Sequence, residues 1–254
     1  MKISEFYKEL CSLYPTSLSC GWDNDGLMCC GDAEAQIKRV LVCLDATYDA
    51  IDHAAKNGFD LILTHHPMIF KGMKSVSDGD IKGSEVICCI KNGISVISLH
   101  TRLDAGKDGV NDALARTLGL KNLEAFGDEE SPELGRVGDI EPMSAEEFAA
   151  YTREKLNCAS VNAYLANKTI RKVAVVGGGA SDFIYPAMAA GADAFVCGEC
   201  RYNSALDAAD SGLTVIEAGH YQTEFPVCTR LAALAESIAG AEAEIYEVKT
   251  FKQI

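Results

Sequence analysis

Short apolar runs alternate with amphipathic segments along most of the chain. The runs of strand length are residues 39–45, 60–64 and 93–99, and the segments of helical spacing between them are 46–57 and 84–91. Gly58 ends the first of these helices, and Pro67 prevents the second strand from continuing. Strands that alternate with helices predict an α/β fold with parallel strand pairs.

The same pattern occurs twice. Residues 40–43 overlay residues 173–176 without a gap, and the following Gly-Asp turn and strand then overlay as well. Further on, the pair His100 and Asp104 overlays His220 and Glu224 with one inserted residue. Chance similarity between any two such stretches is the alternative, but matching polar residues at equivalent strand ends favour an internal repeat of two similar α/β halves.

The repeat predicts the domain limits. We expect a first half over 1–126 and a second half over 127–224, with the C-terminal segment 225–254 packing back on the first half and forming a strand at 243–248. A helix behind the capping-box pair Ser144 and Glu147 opens the second half.

Composition excludes several classes of protein. Of the 254 residues, 48% are hydrophobic and 24% are charged, which is typical of a folded globular chain. The net charge of −14 repels polyanions, so general DNA binding is disfavoured, although a bound metal ion would allow an anionic small molecule to bind.

The N-terminus places Ile3, Phe6 and Leu10 at helical spacing and lacks the apolar region of a signal peptide. With no membrane-length apolar run and an odd count of 11 cysteines, we expect a cytoplasmic protein with reduced thiols.

Polar clusters follow the predicted strands, where ligands bind in open α/β sheets. If the strand stays extended, His65 and His66 project to opposite sides, so each is expected to serve one of two neighbouring ions. His220 and Glu224 lie one helical turn apart, and Glu224 is long enough to bridge two cations. Asp104 holds the equivalent place in the first half.

These residues offer both nitrogen and oxygen ligand atoms, which suit Zn, Fe, Mn, Ni or Co, so the identity of the metal stays open. The alternatives are a polar loop at the two histidines, an N-cap at Asp104, and a surface pair at His220 and Glu224. We expect His100 to orient a ligand or transfer a proton rather than to bind metal itself. The glycine run 177–179 favours a tight turn over a phosphate-binding loop.

Five blocks carry a resemblance to a known family. They are residues 21–27, 63–67, 100–104, 198–202 and 219–224. In this order they resemble the signature blocks of the GTP cyclohydrolase I type 2 family, also called the NGG-interacting-factor-three-like dinuclear metal proteins. The resemblance implies a three-layer α/β/α fold, a toroidal homohexamer, and two divalent metal ions per chain held by five residues, namely His65, His66, Asp104, His220 and the bridging Glu224.

Three positions depart from the family pattern. Glu199 stands where the family has Asp, Asn203 where it has His, and Asp25 where Val is common. Asn203 cannot act as a base, and Asp25 adds a negative charge to the early loop. Trp22 in the same loop can either pack or stack on a base, and the residues alone leave both open.

The leading hypothesis is a dinuclear metal-dependent hydrolase, with Glu224 and His100 as catalytic residues and a purine nucleotide such as GTP as substrate. The resemblance implies ring opening by water attack at C8 with release of formate. The same ligands would serve a nucleotide phosphoesterase. A rival from another class is a metal-binding hexameric scaffold or regulatory protein without turnover.

Overall fold

The computed structural model describes residues 1–247 and residue 251. The helices are α1 Ile3–Leu13, α2 Tyr48–Asn57, α3 Ile81–Lys91, α4 Thr101–Ala105, α5 Val110–Thr117, α6 Ala145–Lys155, α7 Ile184–Ala189, α8 Tyr202–Asp210, α9 His220–Glu224 and α10 Val227–Leu234. The strands are β1 Gly26–Cys29, β2 Arg39–Cys43, β3 Leu61–Thr64, β4 Ser95–Ser98, β5 Lys121–Phe126, β6 Gly135–Met143, β7 Asn162–Tyr164, β8 Ile170–Gly179, β9 Ala194–Glu199, β10 Thr214–Glu217 and β11 Glu242–Ile245. A π-helical turn, Ala235–Ala239, follows α10.

The chain forms two compact units. The first contains Met1–Leu103 and residues 228–247, and the second contains Asp104–Val227. Each unit has one sheet, so the fold is mixed α/β with two sheets, as predicted. Among the described residues, no helix combines the length and the apolar character that a membrane crossing requires.

The first sheet has the order β1-β4-β3-β2-β11, in which the last four strands are parallel and β1 is antiparallel to β4. Residues 40–43 of β2 are fully buried, so both faces of this strand are covered, as in other parallel sheets. The predicted C-terminal strand begins at Glu242 and pairs with β2, and Val248 lies outside the described residues.

The second sheet has the order β5-β6-β8-β9-β10-β7, with β8, β9 and β10 parallel to one another. The outer pairs β5–β6, β6–β8 and β7–β10 are antiparallel. On one face of this sheet, Val173, Val175 and Val196 pack with Phe148 of α6 in a continuous core.

Strand register confirms the internal repeat. In the first sheet Val40 pairs with Leu61, and Leu61 pairs with Ser95. In the second sheet Val173 pairs with Ala194, and Ala194 pairs with Thr214, which are the residues that the sequence overlay places at equivalent positions.

The turn before the middle strand repeats as well. The Asp60 carboxylate accepts hydrogen bonds from two successive backbone N–H groups at the start of β2, at 2.8 and 2.9 Å. Asp193 does the same at the start of β8, at 2.9 and 3.0 Å. Burial by itself raises the pKa of Asp193, but these bonds and the one from Lys168 outweigh it and lower that pKa below its usual value. The two aspartates therefore hold adjacent strands in register.

Candidate metal centre

The carboxyl ends of β3 and β4 bring three histidines together in the first unit. Thr64 and Ser98 pair in register at the ends of these parallel strands, and their buried hydroxyl groups form a hydrogen bond of 2.7 Å. His65 and His66 follow β3, and His100 precedes α4. The strand ends thus supply all three imidazoles from one edge of the sheet, as predicted.

The three imidazole rings face one another at short distances. The ring centroids of His65 and His66 are 4.9 Å apart, and those of His65 and His100 are 5.2 Å apart. One nitrogen of each ring lies within 4.8 Å of the others, so the group can hold a metal ion. His65 is fully buried, whereas His66 and His100 are half-buried.

The expectation that His65 and His66 project to opposite sides is wrong. Strict alternation holds only while a strand stays extended, and β3 ends at Thr64, so the backbone bends at both histidines. Their rings therefore lie side by side. His100, which we expected behind the ligands, belongs to the same group of three rings.

Each imidazole is held through its Nδ1 atom. His65 Nδ1 is 2.9 Å from the carbonyl oxygen of Leu99, His66 Nδ1 is 2.9 Å from the Asp45 carboxylate, and His100 Nδ1 is 2.8 Å from the Asp23 carboxylate. A carbonyl or an ionised carboxylate only accepts hydrogen bonds, so each Nδ1 carries the proton and donates it. In the neutral imidazole the lone pair is then on Nε2, the form that binds a metal ion.

Asp23 stays ionised in this arrangement. Its side chain is fully buried, and burial by itself raises the pKa of a carboxyl group. Hydrogen bonds from His100 and from Thr101 outweigh burial and lower the pKa of Asp23 to about 2. Asp23 is therefore a permanent acceptor for His100.

The loop of residues 19–25, which precedes β1, also holds Arg102. Asp25 accepts bonds of 2.8 and 2.7 Å from the Arg102 guanidinium, and both side chains are almost completely buried. Burial lowers the pKa of Arg102, but the carboxylate outweighs it and raises that pKa above its ordinary value. The negative charge that Asp25 adds to this loop is therefore balanced by Arg102 in a buried ion pair.

In the second unit, α9 presents His220 and Glu224 on one face. His220 Nε2 is 3.2 Å from Glu224 Oε2, and His220 Nδ1 is 3.4 Å from a Glu199 oxygen. The Glu224 side chain is buried, whereas His220 is partly exposed. Asp104 is buried on α4, and Asn203 is exposed on the first turn of α8. Glu199 and Asn203 are the departures from the family pattern in this unit. Of the two, Glu199 contacts a candidate ligand, His220, directly.

The glycine run 177–179 is the end of β8 rather than the tight turn that we expected. Gly178 has φ +67°, and a Cβ atom there would overlap a Glu224 carboxylate oxygen and lie 3.1 Å from His220 Nε2. The missing side chain allows β8 to pass directly beneath both residues of α9. Gly178 N–H donates to Thr223 Oγ1 at 3.1 Å, which anchors the strand to the helix.

Comparison with known proteins identifies the family of this chain. The family model described as Duf34/NIF3 (NGG1p interacting factor 3) matches residues 1–253. The chain belongs to the Duf34/NIF3 family. A GTP cyclohydrolase 1 type 2 homolog of Clostridium acetobutylicum is 34% identical over 92% of this chain and 90% of its own. A homolog of the same name from Clostridium perfringens is 30% identical over 99% and 98%.

Solved structures share the Duf34/NIF3 fold. A Staphylococcus aureus hypothetical protein matches with a TM-score of 0.89 and 28% identity, covering 100% of this chain and 99% of that one. Reduced HcgD from Methanocaldococcus jannaschii matches with a TM-score of 0.82 and 28% identity, covering 98% of both chains.

Sequence reasoning missed the residues that hold the histidines of this Duf34/NIF3 protein. Asp45 lies two residues after the end of β2, so its position at a strand end was a usable signal. Asp23 lies in a block that carried the resemblance, but it is 77 residues from His100 along the chain, and no local pattern connects the two.

Proposed function

We propose that this Duf34/NIF3 protein is a dinuclear metal-dependent hydrolase that acts on a purine nucleotide. The observation that carries the proposal is the common orientation of three imidazoles, each with Nδ1 bonded to an acceptor. Nε2 is then the ligand atom of His65 and His66 and the proton acceptor of His100. An acceptor at Nδ1 that fixes the tautomer is typical of histidines that bind a metal ion, and here all three rings have one.

The proposed ligands of two divalent ions are His65, His66, Asp104, His220 and Glu224. Imidazole nitrogens and carboxylate oxygens suit Zn, Fe, Mn, Ni or Co. When bound, such ions lower the pKa of coordinated water and stabilise negative charge that develops on the substrate.

The chain's own residues supply orientation and proton handling. Glu224 is buried on α9, where Gly178 leaves room for its carboxylate, and we assign it the bridging position. His100 holds a proton at Nδ1 against Asp23 and can accept another at Nε2, so we assign it proton transfer during hydrolysis. The reaction would consume two water molecules: the first opens the imidazole ring at C8 to leave a formamide, and the second hydrolyses the formamide to formate and a diaminopyrimidine nucleotide.

Other properties of the proposal rest on the family resemblance. We expect a homohexamer in the cytoplasm and a nucleotide as the small-molecule partner. The relatives named GTP cyclohydrolase 1 type 2 homolog support a guanine nucleotide as the first substrate to test.

Metal content is the first test. Protein purified without a histidine tag would be analysed for metals, with a His65→Ala, Glu224→Ala double variant beside it. His53→Ala is the matched control, because His53 lies on α2 and bonds to Glu244 instead. We expect near two transition-metal ions per chain in the wild type and the control, and loss in the double variant. No metal after reconstitution would overturn the proposal.

Turnover is the second test. A nucleotide panel with added Mn²⁺, Zn²⁺ or Fe²⁺ would be assayed for both formate and phosphate. Formate release that Glu224→Gln abolishes supports ring opening, and phosphate release that the same variant abolishes indicates the phosphoesterase instead. Metal binding with neither product would favour the scaffold.

A further inference from the structure

Two exposed aromatic rings flank His100 in the first unit. Trp22 is 59% exposed and Phe70 is 47% exposed, although both are large apolar side chains. The centroids of Trp22, Phe70 and His100 are each 6.1 Å from the other two. We refer to Trp22 and Phe70 as the aromatic pair.

The loop that carries Trp22 is anchored on both sides of this residue. Cys20 N–H donates to Thr101 Oγ1 at 2.9 Å, and Asp23 bonds to His100 and Thr101. Asn24 Nδ2 donates to the carbonyl oxygen of Ile69 at 2.5 Å, which links this loop to the residue before Phe70. The aromatic pair is therefore held in place before any ligand arrives, and preorganisation of this kind lowers the entropic cost of binding.

Neither Phe70 nor His100 stacks flat on the exposed indole of Trp22. Trp22 meets Phe70 at 68° and His100 at 75°, so both contacts are edge-to-face. Single exposed apolar side chains are common on protein surfaces and need no explanation. Two together, on anchored loops and beside an imidazole of the candidate centre, are better explained by a ligand.

We propose that the aromatic pair binds the planar heteroaromatic ring of the substrate, which stacks on the exposed face of Trp22 while Phe70 borders it. Any nucleobase offers a π face, so stacking supplies affinity for this class of ligand. This proposal rests on the proposed function, because it takes the heteroaromatic ring that binds beside His100 to be the base of a nucleotide substrate.

The experiment uses the fact that Trp22 is the one tryptophan in the sequence. Fluorescence of the native, metal-loaded protein, excited at the long-wavelength edge where the nine tyrosines do not absorb, therefore reports on this residue alone. Guanosine monophosphate is expected to quench the emission saturably, whereas ribose phosphate, which has the phosphate and sugar without the base, is expected to leave it unchanged. The same titration on metal-free protein separates stacking from metal binding.

Variants test how much the aromatic pair contributes to nucleotide affinity. Loss of one stacking ring is expected to weaken nucleotide binding by about 5- to 100-fold. Trp22→Leu and Phe70→Leu would be compared by calorimetry, with Trp22→Phe expected to restore much of the affinity. Tyr185→Leu is the control, since Tyr185 is an exposed ring on α7, and we expect no change there. Unchanged metal content and circular dichroism would show that each variant is folded.

The outcomes distinguish this proposal from the proposed function. Base-dependent quenching without turnover would support the aromatic pair and refute the hydrolase. Turnover of nucleotides with unchanged KM in Trp22→Leu and no quenching would overturn the aromatic pair alone. If acrylamide fails to quench Trp22 in the ligand-free native protein, another copy of the chain covers this surface, and the proposal is wrong.

Discussion

Replacing Asp23 by asparagine tests the argument that the early loop sets the chemistry of His100. The carboxylate accepts from His100 Nδ1 at 2.8 Å, and from Thr101 N and Oγ1 at 3.0 and 2.6 Å. Asparagine has the same shape but only one acceptor oxygen, so it cannot satisfy both neighbours. Its amide group must face either the Thr101 donors or the imidazole.

The cost in stability follows from the pKa of Asp23. A carboxyl group whose pKa is about 2 when folded, against an ordinary value of 3.8, contributes roughly 2 kcal/mol to the free energy of unfolding at neutral pH. Because the folded pKa is the lower one, this contribution is complete above the unfolded pKa and disappears as the pH falls through about 2. We expect Asp23→Asn to destabilise the protein by about 2 kcal/mol at neutral pH and by about half that near pH 3.

The variant should also change the tautomer of His100. If the amide group of the introduced side chain donates to Nδ1, the imidazole proton moves to Nε2, and the lone pair is no longer available there. Loss of such an orienting group typically lowers metal affinity or activity by about 10- to 100-fold. Thus one substitution is expected to reduce both stability and function.

Urea unfolding of metal-free protein at the two pH values measures the first effect, with Glu9→Gln as a control because Glu9 is exposed on α1. Nitrogen NMR of the labelled His100 imidazole measures the second. Unchanged stability together with an unprotonated Nε2 in the variant would refute the reasoning.

Three further substitutions address other parts of the structure. Gly178→Ala should lower stability by about 1–2 kcal/mol and should also reduce metal content, because the added Cβ would meet Glu224. Gly191→Ala is the control: its φ is also positive (+77°), but no atom lies within 4 Å of the added Cβ, so only stability should fall. Asp193→Asn should lower the urea midpoint, and the difference from wild type should shrink in acid, since the pKa of Asp193 is lowered by folding. Ser144→Ala should cost about 1 kcal/mol in thermal unfolding by removing the N-cap of α6.

Much of the fold was predictable because its determinants are local. Apolar runs, the glycine after α2 and the capping pair at Ser144 and Glu147 each act within a few residues, and the structure places the elements accordingly. The internal repeat was predictable for the same reason, since equivalent strand positions carry similar residues. That His65, His66 and His100 lie close together could also be predicted, because the carboxyl ends of parallel strands converge.

Only the tertiary structure decided how these residues are arranged. The bend after Thr64 places the rings of His65 and His66 together, and the buried pair of Asp25 with Arg102 neutralises a charge that the sequence leaves free. Gly178 leaves room for Glu224, which lies 46 positions later in the sequence (224 minus 178). Such contacts join residues that are distant along the chain, and their energies depend on burial and distance. The sequence therefore determined which side chains are available, and packing determined which atoms face one another.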